Sequence, residues 1–514
     1  MKHIARSTLI IAVFFGLEKV LGFVRQVMVA RTFKLSPNLD AYNAANNIPD
    51  LLFALISGGA LAMAFIPVLS EFREGKGQQE TWDLFSQITN FIFLTTGVLS
   101  IIIALAAHRL VRWEIGIAPG FEPEQQILVT GLMRLNLIAT LFFSLGGLAI
   151  AGLQSHQHFL FPAIAPSMYD VGTLIGILIL APRQPYQFGP ISLPALGLGI
   201  HGLVYGVIIG AALFLIVQLP TLFHFGFHWT PKLNLRHSGV RKVLRLMGPR
   251  VLTVLFIHMI FVTQDNLASR LATGAVTALV YGWLFMQVPE SLIGTALGQA
   301  LLPTLSEQIS RQEQEKFHST LEKSIQIIIS FTLPLAVILS ILLPPVIRLL
   351  DLDAAGSGLI LWTSRAYMVG LIGHALLEVA SRSFYAQQNA RIPLITSGLT
   401  WISFVALAIP LSLWLGAPGI GLANSIAFSA EALLLFLILY RSIAQKPRLK
   451  STLIRVTIAT ALAASLSLAG QHFLGLNTLS LMPSLAATTG IGILSVGVVL
   501  LFIRPEIRAL LNIE

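Results

Sequence analysis

The chain has 514 residues, of which 55% are hydrophobic and only 11% are charged, and its formal net charge is +10. A soluble globular protein has about 25% charged residues, so this composition excludes a water-soluble chain and indicates a polytopic membrane protein. The absence of cysteine excludes disulfides, thiolate metal sites and cysteine nucleophiles. In a membrane protein the positive charge indicates basic loops beside anionic lipid rather than a nucleic-acid partner.

Apolar runs separated by charged or Pro/Gly-rich breaks predict fourteen transmembrane helices, and the fold class is therefore all-α. Helices are expected because every backbone group in hydrocarbon must be hydrogen-bonded within its own segment. The first run lacks an A-x-A cleavage site, so we expect no cleavable signal peptide. In chain order the predicted spans lie near residues 6–33, 40–70, 84–107, 124–152, 159–181, 196–222, 239–270, 274–308, 320–348, 357–386, 392–415, 419–441, 452–472 and 481–503.

Lysine and arginine are distributed unevenly between the predicted loops. If the N-terminus is inside, twenty-one of them fall on the cytoplasmic side, seven on the outer side and five within spans. The positive-inside rule then predicts that both termini are cytoplasmic. The five basic residues within spans are Lys19, Arg25, Arg134, Arg250 and Arg365.

The second half of the chain contains a weak copy of the first. PVLSE at 67–71 ends the second span and PTLSE at 303–307 ends the eighth, while GIHGL at 199–203 resembles GIGL at 419–422. Matches this short also arise by chance in apolar sequence, but their order and spacing agree along the chain. A repeat of six spans keeps its orientation, which predicts two lobes related by a pseudo-twofold axis along the membrane normal.

The repeat gives the expected domain organisation: an N-lobe at residues 1–223, a C-lobe at 224–445, and two additional helices at 446–514. Two such lobes are expected to form an alternating-access carrier with its site near the bilayer midplane. Prolines and glycines within spans 2 and 8 either allow bending or allow close helix packing, and the sequence does not decide between these roles.

The first span carries ionisable residues that hydrocarbon alone would not tolerate. Glu18 and Arg25 share one stripe of the helical wheel, and Lys19 lies on the adjacent stripe. A charge at the bilayer centre costs about 3 kcal/mol, so we expect this edge to face a water-accessible cavity. Alternatively, Arg25 extends to the outer headgroups, and Lys19 and Glu18 form a purely structural ion pair.

Further ionisable residues fall within or beside other spans. Arg134 and Arg365 lie near the starts of spans 4 and 10 and are candidates to line the same cavity. Glu18, Asp265 and Glu378 are candidates for ion coupling or counter-charge. The acidic residues expected to act as counter-charges are Asp40, Asp50, Asp170, Asp265, Glu290, Glu378 and Glu431.

Motifs for enzymatic chemistry are absent from the sequence. There is no H-E-x-x-H metal spacing, no G-x-x-x-x-G-K-[ST] phosphate loop and no G-x-S-x-G nucleophile motif. We therefore expect neither an enzyme nor a metal site, and no cofactor beyond a monovalent coupling ion or the membrane potential.

Several segments resemble the MurJ/MviN family, bacterial flippases for the peptidoglycan precursor lipid II in the multidrug/oligosaccharidyl-lipid/polysaccharide exporter (MOP) superfamily. The resemblance covers nearly the whole chain and includes VLGFVRQVMVARTF, LGQALLPTLSE and FYAQQNARIP. It implies a cationic central cavity for the diphosphate and sugars of lipid II. Arg25 matches the arginine of the family's G-F-x-R, Lys19 replaces an arginine, and Asp40 matches the acid that opens span 2.

The chain departs from the family pattern at several cavity arginines. The arginine pair that follows P-x-L-L in span 2 is replaced here by Phe53 and Ala54. In span 8 the positions of an arginine and a nearby glutamate are occupied by Leu284 and Gln287. Recognition of a diphosphate is then reassigned to Lys19, Arg25, Arg134 and Arg365, or the substrate differs.

The resemblance implies a flippase of the bacterial cytoplasmic membrane that moves lipid II, or a related polyprenyl-diphosphate glycan, by alternating access during cell-wall biogenesis. The expected partners are membrane lipids and cell-wall synthesis machinery, and the expected state is a monomer. One alternative is a drug or organic-cation antiporter of the same superfamily, whose site would be acidic and aromatic. Another is a non-transporting paralogue that acts as a scaffold.

Overall fold

The computed structural model describes residues 2–56, 59–441, 447–476 and 478–511. Within these ranges the structure does not describe the side chains of residues 2–13, 15, 59–64, 188, 191, 246, 248–250 and 509–511. The side chain of Arg250, one of the five basic residues within predicted spans, is therefore outside the described part. The described residues form an all-α protein, and the only strands among them are the two strands of a small hairpin, each two residues long. The predicted fold class is confirmed. The chain divides into two compact units, Met1–Arg270 and Leu271–Glu514.

The first unit contains nine α-helices, counted over its described residues. They are α1 (Lys2–Phe33), α2 (Pro37–Ile56), α3 (Gly59–Lys76), α4 (Gln78–Arg112), α5 (Pro123–Ser155), α6 (Leu160–Ile175), α7 (Ile200–Ile216), α8 (Leu219–His224) and α9 (Ser238–Ser269). A π-helical turn at Gly176–Leu180 extends α6, and the strands β1 (Gln187–Phe188) and β2 (Ile191–Ser192) pair antiparallel in the following loop. Helix α9 packs on α2 and α3, and thus belongs to this unit.

The second unit contains ten α-helices in the part of the chain that is described. They are α10 (Ala275–Glu290), α11 (Ala296–Ser310), α12 (Gln314–Ile347), α13 (Ala354–Met368), α14 (Leu371–Ala386), α15 (Arg391–Leu415), α16 (Ala417–Arg441), α17 (Lys450–Phe473), α18 (Leu481–Phe502) and α19 (Arg504–Leu511). A π-helical turn, Ser291–Thr295, joins α10 to α11, and a 3-10 turn, Arg348–Leu350, follows α12. Helices α17 and α18 pack on α12.

Eleven helical segments of the described chain are long and apolar enough to cross a membrane, or twelve if the pair α13 and α14, bent by 41°, counts as one span. The two other predicted spans coincide with α1 and with α2 followed by α3, which carry many of the polar residues discussed below. The count of fourteen spans and the lobe boundaries at 223 and 445 remain predictions. Among the prolines and glycines within spans 2 and 8, Gly58 lies outside the described residues, and Pro289 lies two positions before the first residue of the π-helical turn that joins α10 to α11.

Small residues allow α6 and α7 to pack closely. A Cβ atom added to Gly172 would lie 2.2 Å from the Cα of Gly210, and one added to Gly206 would lie 2.6 Å from the Cα of Gly176. The two glycines on each segment are four positions apart, so they form one small-residue stripe per helix. The backbones of α6 and α7 are therefore in direct contact.

A histidine just beyond α5 is built into the apolar core of the first unit. The His156 ring stacks on Trp82 with centroids 4.7 Å apart and an interplanar angle of 4°. Its Nδ1 lies 3.0 Å from the carbonyl oxygen of Gly152, and its Nε2 is buried without a hydrogen-bond partner. Partial burial lowers the pKa of His156 below its ordinary value of 6.5, because the charged imidazolium is poorly solvated there.

The lowered pKa predicts a pH-dependent stability. The unfolded chain binds a proton at His156 more readily than the folded chain does, so stability is lost as the pH falls through 6.5. We expect the unfolding midpoint of the wild-type protein to fall between pH 7.5 and 5.5 by more than that of His156→Phe, which keeps the stacking ring. Equal pH dependence in the two proteins would show that His156 does not contribute.

Candidate functional site

Arg25 of α1 forms a buried ion pair with α6. Its Nε lies 3.2 Å from Oδ1 of Asp170, whose side chain is 3% exposed, while the Arg25 side chain is 18% exposed. The guanidinium carbon also lies 4.7 Å from the ring centroid of Tyr169. The Arg25 Nε makes no hydrogen bond of acceptable geometry, so the contact with Asp170 is ionic. Asp170 thus balances the charge of Arg25.

Lys19 lies two turns before Arg25 and is much more accessible. Its Nζ is 3.2 Å from Oε2 of Glu18, and its side chain is 53% exposed. A Cβ atom added to Gly22 would lie 3.8 Å from Oδ2 of Asp170, so the polar edge of α1 faces α6 at this level. Lys19 therefore offers an exposed ammonium group, while Arg25 offers a guanidinium that is already paired.

Asp40 and Asp265 lie in the interior of the first unit, on α2 and α9. Their residues are 1% and 5% exposed, and they are close enough to interact electrostatically. Asn47 donates a hydrogen bond from its Nδ2 to Oδ2 of Asp265 over 2.9 Å. The hydrogen bond between Asn47 and Asp265 joins α2 to α9. Asp40, a predicted binding residue, and Asp265, a predicted counter-charge, are both buried here.

Arg134 and Arg365 make the same kind of contact in their respective units. Arg134 Nε donates to the carbonyl oxygen of Ala104 on α4 over 2.9 Å. Arg365 Nε donates to the carbonyl oxygen of Ser340 on α12 over 3.0 Å. The two arginines occupy corresponding spans of the predicted repeat, and the contact supports that repeat. Both guanidinium groups are thus engaged by backbone, which we take as a structural role.

The Ser340 carbonyl is available because of a proline one turn later. In a regular helix that oxygen accepts from the N–H of residue 344, and Pro344 has no N–H. Arg365 therefore supplies the missing donor. The Ala104 carbonyl differs, because His108 at the equivalent position retains its N–H.

This difference predicts the effects of removing each arginine. We expect Arg365→Gln to cost about 1–3 kcal/mol of stability, because it leaves the part-buried Ser340 carbonyl without a donor. Arg134→Gln, the matched control in the first unit, is expected to cost less. In a Pro344→Ala background the restored N–H should reduce the effect of Arg365→Gln, and a double-mutant cycle of unfolding free energies measures this coupling. An unchanged cost in that background would contradict the account.

Glu378 pairs within α14 with a basic residue that sequence reasoning did not single out. Nη1 of Arg382 contacts both the carboxylate and the carbonyl oxygen of Glu378. Glu290, at the end of α10, accepts a hydrogen bond from Thr295 Oγ1 over 3.2 Å and interacts electrostatically with Arg382. The spacing of four residues between Glu378 and Arg382 was the available sequence signal.

A cavity of about 320 Å³ lies inside the first unit, beside the Arg25 ion pair. On α2 it is lined by one stripe at helical spacing, which includes Asn46, Asp50 and Phe53. The other helices contribute mainly aromatic and small residues. The full lining is Tyr42, Asn46, Pro49, Asp50, Phe53, Asn136, Ala139, Thr140, Phe143, Pro166, Tyr169, Val207 and Phe214. The sequence predicted Asp50 only as a counter-charge.

None of the five predicted substrate-binding residues lines this cavity. Arg25 is linked to the cavity through Tyr169, which contacts Arg25 and also lines the cavity. Within the described residues, no group of three or more His, Cys, Asp or Glu side chains could hold a metal ion.

Comparison with known proteins identifies the family. The sequence profile described as "Lipid II flippase MurJ" matches residues 29–487. This chain belongs to the MurJ family. Lipid II flippase MurJ of Burkholderia cenocepacia is 29% identical over an alignment of 448 residues that covers 85% of this chain and 83% of that protein.

Solved structures show the same fold. Lipid II flippase MurJ in an inward closed conformation has a TM-score of 0.76 at 22% identity, covering 98% of this chain and all of that one. An inward-facing MATE-family multidrug transporter of the MOP superfamily has a TM-score of 0.68 at 14% identity, covering 86% and 95%. The predicted family is confirmed, and the names of these proteins describe a lipid II flippase and a multidrug transporter.

Proposed function

We propose that this chain translocates lipid II, or a closely related polyprenyl-diphosphate glycan, across the bacterial cytoplasmic membrane. The observation that carries the proposal is the match to the MurJ family along residues 29–487. The protein works as a monomer by alternating access, with both termini in the cytoplasm. It uses the membrane potential or a monovalent-ion gradient, since the sequence has no phosphate-binding loop for ATP.

Lys19 is the group best placed in the first unit to attract an anionic headgroup. Its side chain is more than half exposed, although its ammonium group also contacts Glu18. A charge-assisted contact to a diphosphate oxygen is stronger than a contact between neutral groups. Arg25 attracts the anionic headgroup only when the two are close together, because Asp170 already balances the charge of Arg25.

Binding of lipid II to the purified protein in nanodiscs tests this role. We expect Lys19→Ala to weaken binding about tenfold, which corresponds to about 1.4 kcal/mol. Lys316→Ala is the matched control, because Lys316 is a similarly exposed lysine that pairs with Glu313 within α12 and its N-cap. Equal loss in both variants would mean that only general surface charge matters.

Complementation tests the whole function. In a strain depleted of its own lipid II flippase, expression of this chain is expected to restore growth, and a non-transporting scaffold would not. A chain that inserts into the membrane, fails to complement and exports ethidium would instead be a drug antiporter. Loss of both activities in a correctly inserted protein would overturn the transport proposal.

A further inference from the structure

We propose that the cavity in the first unit is a binding site for an organic ammonium group. This inference goes beyond the proposed lipid transport, because binding of a diphosphate headgroup does not require a site for a cation. It depends on three features of the cavity: one carboxylate, unpartnered amide oxygen and a wall of aromatic rings.

Asp50 supplies the negative charge. Its side chain lines the cavity and is exposed there, and no described residue donates a hydrogen bond to it or forms an ion pair with it. A carboxylate within a membrane-spanning unit is costly unless a cation or water compensates it. Asp50 therefore favours a positively charged occupant and repels a diphosphate.

A second, independent group points to a ligand that donates hydrogen bonds. Asn136 is 3% exposed and lines the same cavity, and its Nδ2 donates to Oδ1 of Asn46. The remaining Oδ1 of Asn136 is buried without any hydrogen-bond partner. Such an acceptor costs about 1–3 kcal/mol when unsatisfied. An ammonium group has N–H donors to offer both Asn136 and Asp50.

The aromatic wall selects an organic cation over a metal ion. Phe143 lies at its centre, with ring centroids 5.8 Å from Phe53, 5.3 Å from Tyr169 and 5.5 Å from Phe214. Aromatic faces attract ammonium groups through their quadrupoles, and they cover the attached carbon atoms. A volume of about 320 Å³ is also far larger than an alkali ion needs.

Equilibrium dialysis of the full-length protein in nanodiscs, with labelled phenethylammonium and no lipid II, tests the site. We expect saturable binding that weakens at least tenfold in Asp50→Asn and stays unchanged in Glu114→Gln, where the acid is exposed and paired with Arg270. The neutral isostere 2-phenylethanol is expected to bind the wild-type protein at least tenfold more weakly, and this comparison needs no variant to fold.

Three outcomes would overturn the proposal. They are absence of saturable binding, equal affinity for the amine and its neutral isostere, and displacement of the amine by sodium chloride but not by choline chloride. A failure of amine binding is distinguishable from a failure of the proposed lipid transport, because lipid II binding is measured separately on the same preparation.

Competition identifies the source of the ammonium group. If lipid II with a free amino group on its headgroup peptide displaces the amine, and the N-acetylated lipid does not, the site belongs to the transported headgroup. If neither lipid displaces it, the site binds a free organic amine.

Discussion

Asp170→Asn is expected to destabilise the first unit by about 3–5 kcal/mol, because the substitution leaves the Arg25 guanidinium without its counter-charge. Asp170 is 3% exposed, and its carboxylate faces the Nε of Arg25 at 3.2 Å. Arg25→Gln should be nearly as costly, since it isolates the buried carboxylate. The unfolding midpoint of the purified protein measures both effects, and Glu114→Gln serves as the exposed-acid control.

The double variant Arg25→Gln/Asp170→Asn separates structure from transport. Removing both charges should restore most of the lost stability, because replacing a buried ion pair as a whole is often close to neutral. Complementation should remain defective if Arg25 also contacts the anionic headgroup. A double variant that regains both stability and transport would show that the pair is purely structural.

Gly206→Leu is expected to prevent correct packing of α6 against α7. Its Cβ would lie 2.6 Å from the Cα of Gly176 and 2.9 Å from the carbonyl oxygen of Gly172, and both of these are backbone atoms. Overpacking usually costs about 1–3 kcal/mol, and more where backbone must move. We expect a loss of at least 3 kcal/mol, measured as a lower unfolding midpoint and lower yield of monodisperse protein.

The matched control for this substitution is Gly131→Leu. Gly131 also lies within a membrane helix, α5, but a Cβ atom there would meet no heavy atom within 4 Å. Its midpoint should stay close to that of the wild-type protein. Similar losses at both glycines would mean that helix propensity, and not contact between α6 and α7, determines the result.

The sequence predicted the helical class, the positions of the apolar segments and the family, because these depend on composition and local pattern. It also placed Asp170 among the counter-charges. It did not predict that Asp170 pairs with Arg25, since the partners are 145 positions apart and meet only through the packing of α1 on α6. Helical periodicity in the sequence shows which residues share one face of a helix, but it does not show which helices pack against each other.

The roles of Arg365 and Asp50 show the same limit. Arg365 was a candidate cavity residue, but it bonds to a carbonyl that Pro344 leaves without a donor on a neighbouring helix. That proline is visible in the sequence, whereas its alignment with Arg365 is not. The cavity around Asp50 was also missed, because it needs side chains from four helices.

The ion pair between Arg25 and Asp170 also determines how far the charge of Arg25 acts. Two opposite charges held side by side produce the field of a dipole, which decays with distance more steeply than the field of a single ion. An anion that diffuses toward the first unit therefore senses Arg25 only at close range, and the same holds for Lys19, whose ammonium nitrogen lies 3.2 Å from the Glu18 carboxylate. Early encounter rates should then depend on ionic strength less than two unpaired cations would predict.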